Sequence, residues 1–160
     1  MQLTTFTDYA FRLLIYLALD PERTATITEV SDYFGVSRHH MVKVVHRLGQ
    51  GGFITTTRGK GGGLKLARKP ADLKLGEVIR WMEPSLSLVE CQHQGKEGRC
   101  RAAPSCRLNG ILDRAMAAFL ATLDRHSLAD AIPPNGNSMA RQDVISLPHA
   151  NASPIAGKSK

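Results

Sequence analysis

The feature that most restricts what this chain can fold into is a change of hydrophobic period near Gly51-Gly52. Before those glycines, apolar residues recur three and four apart, the spacing of one helix face; after them come a run of β-branched residues and then an alternating segment, the patterns of strands. Phe6, Ala10, Leu13, Leu14 and Leu17 predict a helix over 6–19, ended by Asp20-Pro21. Thr26 with Glu29 three residues on has the pattern of a capping box, and Ile27, Val30 and Phe34 then share a face. Gly35 is a natural stop, because it adopts a left-handed conformation without a Cβ penalty. Ser37 caps a third helix over 38–49, with Met41, Val44, Val45 and Leu48 as its inner stripe. Two short helices joined by a glycine turn have the form of a helix-turn-helix. Residues 53–58 read as a strand, Gly59-Lys-Gly-Gly-Gly63 as a turn, and 64–68 as the returning strand. The expected fold class is mainly α with a small β-hairpin wing, a winged helix-turn-helix followed by a long C-terminal helix.

Beyond the hairpin, Leu75, Val78, Ile79 and Met82 predict a short helix over 75–83, stopped by Pro84. Residues 85–107 read as a loop. A long helix is expected over 108–128, with Leu108, Leu112, Ala115, Met116, Phe119, Leu120 and Leu123 on a stripe too broad for a lone monomer to cover. That breadth predicts a dimerisation helix and hence a homodimer. From Pro133 onward periodicity ends, and Pro, Ser, Asn and Lys dominate a tail that reads as disordered. The expected organisation is 1–84 winged helix-turn-helix domain, 85–107 ligand-binding loop, 108–132 dimerisation helix and 133–160 tail. No internal repeat is found. The apolar run 13–19 is far too short to span a bilayer, and nothing has the pattern of a signal peptide, so a cytoplasmic protein without membrane contact is expected.

Charge narrows the partner. Lys and Arg number 21 against 14 Asp and Glu, a net charge of +7. The excess is concentrated: residues 33–71 contain no acid, yet hold Arg38, Lys43, Arg47, Arg58, Lys60, Lys65, Arg68 and Lys69. A solvated basic face is the plain alternative. The coincidence with a helix-turn-helix and its wing favours double-stranded DNA, where phosphate neutralisation dominates affinity. Arg38, His39, His40 and Lys43 begin the third helix, where base edges are reached, with Arg47 further along it. Arg58 and Lys60 flank the wing turn, and Arg58 is the candidate for a narrow minor groove. The glycine run does not read as a phosphate loop, since a strand rather than a helix follows it. No constellation for catalysis is present, and no enzymatic activity is expected.

Three cysteines lie within sixteen residues, spaced Cys91-x8-Cys100-x5-Cys106. An odd number in a reducing compartment argues against a disulfide framework. The gaps are not those of a zinc ribbon or a Cys-x-x-Cys redox pair, and they suit a loop around something larger than one ion. Arg99, Arg101 and Arg107, with Lys96 nearby, favour thiolates. A redox-sensing thiol loop, or a zinc site of three cysteines with His93, remains open on these residues alone.

Five motifs occur in order: Met1-Gln-Leu-Thr-Thr-Phe-Thr-Asp-Tyr-Ala10, Gly35-Val-Ser-Arg-His-His-Met-Val-Lys43, Arg58-Gly-Lys-Gly-Gly-Gly63, Glu83-Pro84 leading to Leu88-Val-Glu-Cys91, and Pro104-Ser-Cys-Arg-Leu108. Together they resemble the NsrR-type nitric-oxide-sensing repressors, within the winged-helix iron–sulfur group that also includes IscR, over about residues 1–130. The resemblance implies a homodimeric repressor with an iron–sulfur cluster, 4Fe–4S favoured over 2Fe–2S, and nitric oxide as signal. It implies Cys91, Cys100 and Cys106 as ligands, with Asp8 supplied by the other subunit as the fourth. Without the resemblance, Asp8 would be a first-turn acid favoured by the helix dipole. IscR-like members carry histidine three residues after the last cysteine, where this chain has Asn109. The first cysteine gap is longer than the family's pattern, which keeps His93 as an alternative ligand. An IscR-like response to cluster supply and a zinc-stabilised regulator are the competing functions.

Overall fold

The computed structural model describes residues 2–59, 61–92, 100–102 and 105–133. Lys60, His93 and the tail from 134 onward lie outside them. Five α-helices and one hairpin follow in order: α1 Thr5–Ala18, α2 Ile27–Phe34, α3 Arg38–Gln50, β1 Ile54–Thr57, β2 Gly63–Leu66, α4 Leu75–Met82 and α5 Leu108–Arg125. This is the expected winged helix-turn-helix with a long helix after it.

Local signals set the boundaries. The Thr4 hydroxyl accepts from the Thr7 amide at 3.3 Å, and the Ser37 hydroxyl from the His40 amide at 3.3 Å, so each helix starts on a satisfied donor. Gly35 ends α2 at φ 62°, and the turn into α3 closes on a bond from Val36 N–H to the Ser31 carbonyl. The expected capping box is only half formed. Thr26 accepts from the Glu29 amide, but the Glu29 carboxylate turns to Arg23 at 2.8 Å and to the Tyr16 hydroxyl. A charged partner and a buried phenol outcompete one exposed amide.

The core gathers one stripe from every element of the winged helix. Ala10, Leu13, Leu14 and Leu17 of α1 meet Val30, Met41, Val44, Leu48, Phe53, Ile54, Leu64, Val78 and Met82. The hairpin is antiparallel, pairing Ile54 with Leu66 and Thr56 with Leu64. It is also stitched to the α1–α2 loop, where Ala25 and Leu64 exchange backbone hydrogen bonds at 3.1 and 2.7 Å. Gly62 makes the wing turn possible, because a Cβ there would collide with the Thr57 carbonyl.

The last helix ends earlier than its apolar stripe predicts. The chain leaves α5 at His126 and folds back as a 3-10 turn, Leu128–Ala131. Leu128 is thereby buried in the winged-helix core, and its amide bonds the Leu73 carbonyl at 2.8 Å. Leu128 stands eight residues after Leu120, a helical spacing, so sequence spacing alone could not reveal the reversal. No residue of α5 is fully buried. Leu112, Met116, Phe119, Leu120 and Leu123 are half-covered, whereas Leu108 and Ile111 are 52% and 51% exposed. Among the described residues, no helix is long and apolar enough to cross a membrane.

Candidate nucleic-acid interface and cysteine segment

The inner stripe of α3 packs on α1, which turns the opposite face outward. Arg38, His39, His40, Lys43 and His46 are all exposed, and the first four occupy the first two turns. The Tyr9 ring of α1 lies 6.5 Å from the His40 ring, so the start of α1 borders the start of α3. Arg58 is exposed at the end of β1, beside the glycine turn. These five predicted residues therefore share a solvent-facing helix start and a wing tip, two elements a duplex can meet together. Lys60, grouped with Arg58 in the sequence, lies outside the described residues.

Among the described cations of this stretch, two are otherwise engaged. Arg68 forks onto Glu77 at 2.9 and 3.2 Å and lies over the Phe53 ring. Arg47, grouped in the sequence with the DNA-facing cations, is half-buried, with its guanidinium 4.3 Å from the Trp81 ring centroid. It donates to the Trp81 carbonyl at 2.8 Å, and the Trp81 indole donates back to the Arg47 carbonyl at 2.7 Å. Charge counting could not separate these two from the other cations, because the acid and the aromatic ring they meet lie on α4, beyond the acid-free stretch.

The cysteine segment starts on a hydrogen-bonded hook. Gln92 Oε1 accepts from the amides of Leu88 and Val89 at 2.8 and 3.3 Å, while its Nε2 donates to Asp113 of α5 at 2.8 Å. Cys91, one residue before, is half-exposed; Cys100 and Cys106 are exposed, and all three thiols are free. Among the described residues, no three potential metal ligands are gathered at one point. His93 lies outside the described residues. Asp8 is on the first turn of α1, half-exposed and paired with Arg12 at 2.8 Å. Arg12 in turn lies 5.9 Å from the Tyr9 ring and 6.0 Å from the Phe34 ring. Tyr9, Gln92 and Asp113 were not singled out in the sequence, because their roles come from contacts across elements. Glu83, legible only as part of a Glu-Pro pair, takes both the Thr4 amide at 2.8 Å and the Thr4 hydroxyl at 3.1 Å. It thereby ties the end of α4 to the start of the helix that carries Asp8.

Comparison with known proteins decides the family. Residues 3–134 match the model of Rrf2, described as an iron-dependent transcriptional regulator. The chain belongs to the Rrf2 family. This Rrf2 regulator is thus a member of a group of DNA-binding transcription factors rather than enzymes. Solved structures agree on the fold. CymR, the global cysteine regulator of B. subtilis, superposes with a TM-score of 0.65 at 23% identity, covering 82% of this chain and 95% of its own. IscR from T. potens gives 0.65 at 23%, covering 82% and 85%. Oxidised CymR from Staphylococcus aureus gives 0.62 at 21%, covering 80% and 93%.

Proposed function

We propose that this Rrf2 regulator is a homodimeric repressor that senses nitric oxide through an iron–sulfur cluster on Cys91, Cys100 and Cys106, with Asp8 of the partner subunit as fourth ligand. The observation that carries this reading is the match to an iron-dependent regulator model across 3–134, a span that includes all three cysteines, Asp8 and the wing. The donor chemistry fits. Three free thiols in a segment with Arg101 and Arg107 favour thiolates, and the cationic neighbours offset the negative charge of a thiolate-ligated cluster. When bound, the cluster supplies iron as the target for nitric oxide, in the 4Fe–4S form by preference over 2Fe–2S.

The protein's own residues supply the coupling. The Asp8 carboxylate pairs with Arg12, and any other partner for that carboxylate competes with this ion pair. Arg12 rests against Tyr9, whose ring neighbours His40 at the start of α3. A change in what Asp8 holds is therefore felt beside the residues proposed to touch bases. Arg38, His39, His40 and Lys43 read the major groove, while Arg58 and Lys60 hold the wing to the duplex. The exposed line of Leu108 and Ile111 on α5 is the surface a second copy covers.

A second reading has a specific observation behind it: the fold is shared with a protein named IscR. In it, the regulator responds to cluster supply rather than to nitric oxide. Anaerobic purification with iron and sulfide analysis, followed by nitric oxide titration of DNA binding, tests both. About four irons and four sulfides per chain, with binding abolished near stoichiometric nitric oxide, is the expected result. A cluster that survives such a titration with DNA still bound would overturn nitric oxide sensing in favour of the second reading. Asp8→Ala should blunt the response; an unaltered response would show that Asp8 is not the switch.

A further inference from the structure

Helix α4 touches three other helices through residues almost adjacent in sequence. Successive helical residues are turned by about 100°, so neighbours on one helix face different partners. Arg80 reaches α5, where its guanidinium forks onto Asp124 at 2.7 and 2.6 Å. Trp81 reaches α3 through the reciprocal bonds and stacking with Arg47. Glu83 reaches the N-cap of α1. Two glycines make the close approaches possible. A Cβ on Gly51, just past α3, would come within 2.6 Å of the Trp81 indole nitrogen, and one on Gly76 would collide with Asp124.

We infer that α4 is a strut that sets the tilt of the recognition helix relative to α5, with Arg47 and Trp81 as positioning residues rather than DNA contacts. The Trp81 indole is a second donor to the Arg47 carbonyl in the last turn of α3, which also accepts from the Gly51 amide at 3.1 Å, so the end of the helix is held from its own chain and from α4 at one atom. The guanidinium bond from Arg47 to the Trp81 carbonyl and its stacking on the ring together remove the rotational freedom that the hydrogen bond alone would leave. Helix α3 is about 20 Å long by its rise per residue, so a small shift at this anchored end swings the exposed start through a larger arc. The Arg80–Asp124 fork, a bidentate pair with fixed geometry, passes the position of α5 to the same strut. The α5 half of this inference rests on the proposed role of α5 as the dimer helix. The Arg47 half does not.

The experiment measures DNA binding of the full-length protein across a salt series. One duplex is selected by the protein from a random library, and another of equal length has random sequence. The variants are Arg47→Ala, Arg47→Lys, Trp81→Phe, Asp124→Asn and the exchange Arg80→Asp with Asp124→Arg. Arg47→Ala and Trp81→Phe should each weaken binding to the selected duplex by roughly tenfold, leave the salt slope unchanged, and combine to no more than the larger single effect. Arg47→Lys should not restore binding, since it keeps the charge and loses the planar group stacked on the Trp81 ring. Asp124→Asn should shift the emission of Trp81, the chain's one tryptophan, and weaken selected binding several-fold, with the charge exchange restoring both. A salt slope reduced by about one in Arg47→Ala, with Trp81→Phe neutral, would make Arg47 a phosphate contact and overturn the inference. Trp81→Phe preserves a ring in the packing, so the test survives if Arg47→Ala fails to fold. Sedimentation and iron analysis of the same parent sample separate the readings. A monomeric parent removes the α5 half, and an iron-free one removes the proposed sensing, while the slope still judges Arg47.

Discussion

Residues 5–82 place buried side chains from every helix and both strands into one core, whereas the described part of 85–107 contributes none. The first region is held by leucines, valines and capped helix ends, all supplied by the chain itself. The second is held by Gln92 and a few serines, with its thiols facing solvent. Apolar burial accounts for the order of the winged helix without any ligand. Among its described residues, the cysteine segment buries no side chain, in keeping with the bound group proposed above. The contrast teaches that the parts proposed for reading DNA and for sensing a signal draw on different physics within one chain.

The sharpest way to break this contrast is to strike each region in turn. Leu48→Ala, at a fully buried site on α3, should cost about 2–5 kcal/mol and lower the thermal midpoint substantially. Cys106→Ser, at an exposed site, should abolish bound iron while shifting stability of the iron-free protein by no more than about 0.5 kcal/mol. Thermal unfolding and iron analysis of both variants give the answer. A large loss of stability in iron-free Cys106→Ser would mean that the segment has a core of its own.

The wing tip lies between the two cases, prebuilt in backbone yet exposed in side chain. Arg58→Ala should leave thermal unfolding unchanged and reduce the salt slope of DNA binding by about one. Equal losses on selected and random duplexes would limit Arg58 to phosphate contact, whereas a larger loss on the selected duplex would support entry into a narrow minor groove.

The smallest effect concerns the return of the chain from α5. Asp130 is held below the usual carboxylate range, first by the Ser127 amide and then by its hydroxyl. Asp124 is lowered chiefly by the hydrogen bond from Arg80. A depressed folded value means these carboxylates stabilise the fold above the unfolded carboxylate range, and that contribution fades as pH falls through the folded values. Both are open to solvent, so the effect is slight. Asp130→Asn should flatten the acid limb of a plot of thermal midpoint against pH, leaving the neutral side little changed in slope. An acid limb identical to the parent's would show that the capping bond adds nothing to stability.

Most of the architecture was legible because it rests on local rules. Gly35 stops α2, Ser37 starts α3, and the shift from helical to alternating spacing at Gly51-Gly52 announces the wing; each depends on residues a few positions apart. Arg38, His39, His40, Lys43 and Arg58 were readable as exposed cations and imidazoles because the stripe opposite them is apolar. Cys91, Cys100 and Cys106 were readable as a group by proximity, and Asp8 only through the family resemblance. What the residues alone determined is therefore the set of elements, their caps and the sign of the charged face. Tertiary structure alone decided which partners the polar residues take. It gave Arg47 to Trp81 and Arg68 to Glu77, drew Glu29 away from its own helix cap, and turned Leu128 back into the core. The physical reason is one of range. Backbone preference and periodicity act within a turn or two, but a guanidinium or a leucine takes its favourable partner from whatever the packed elements bring beside it, however distant in sequence.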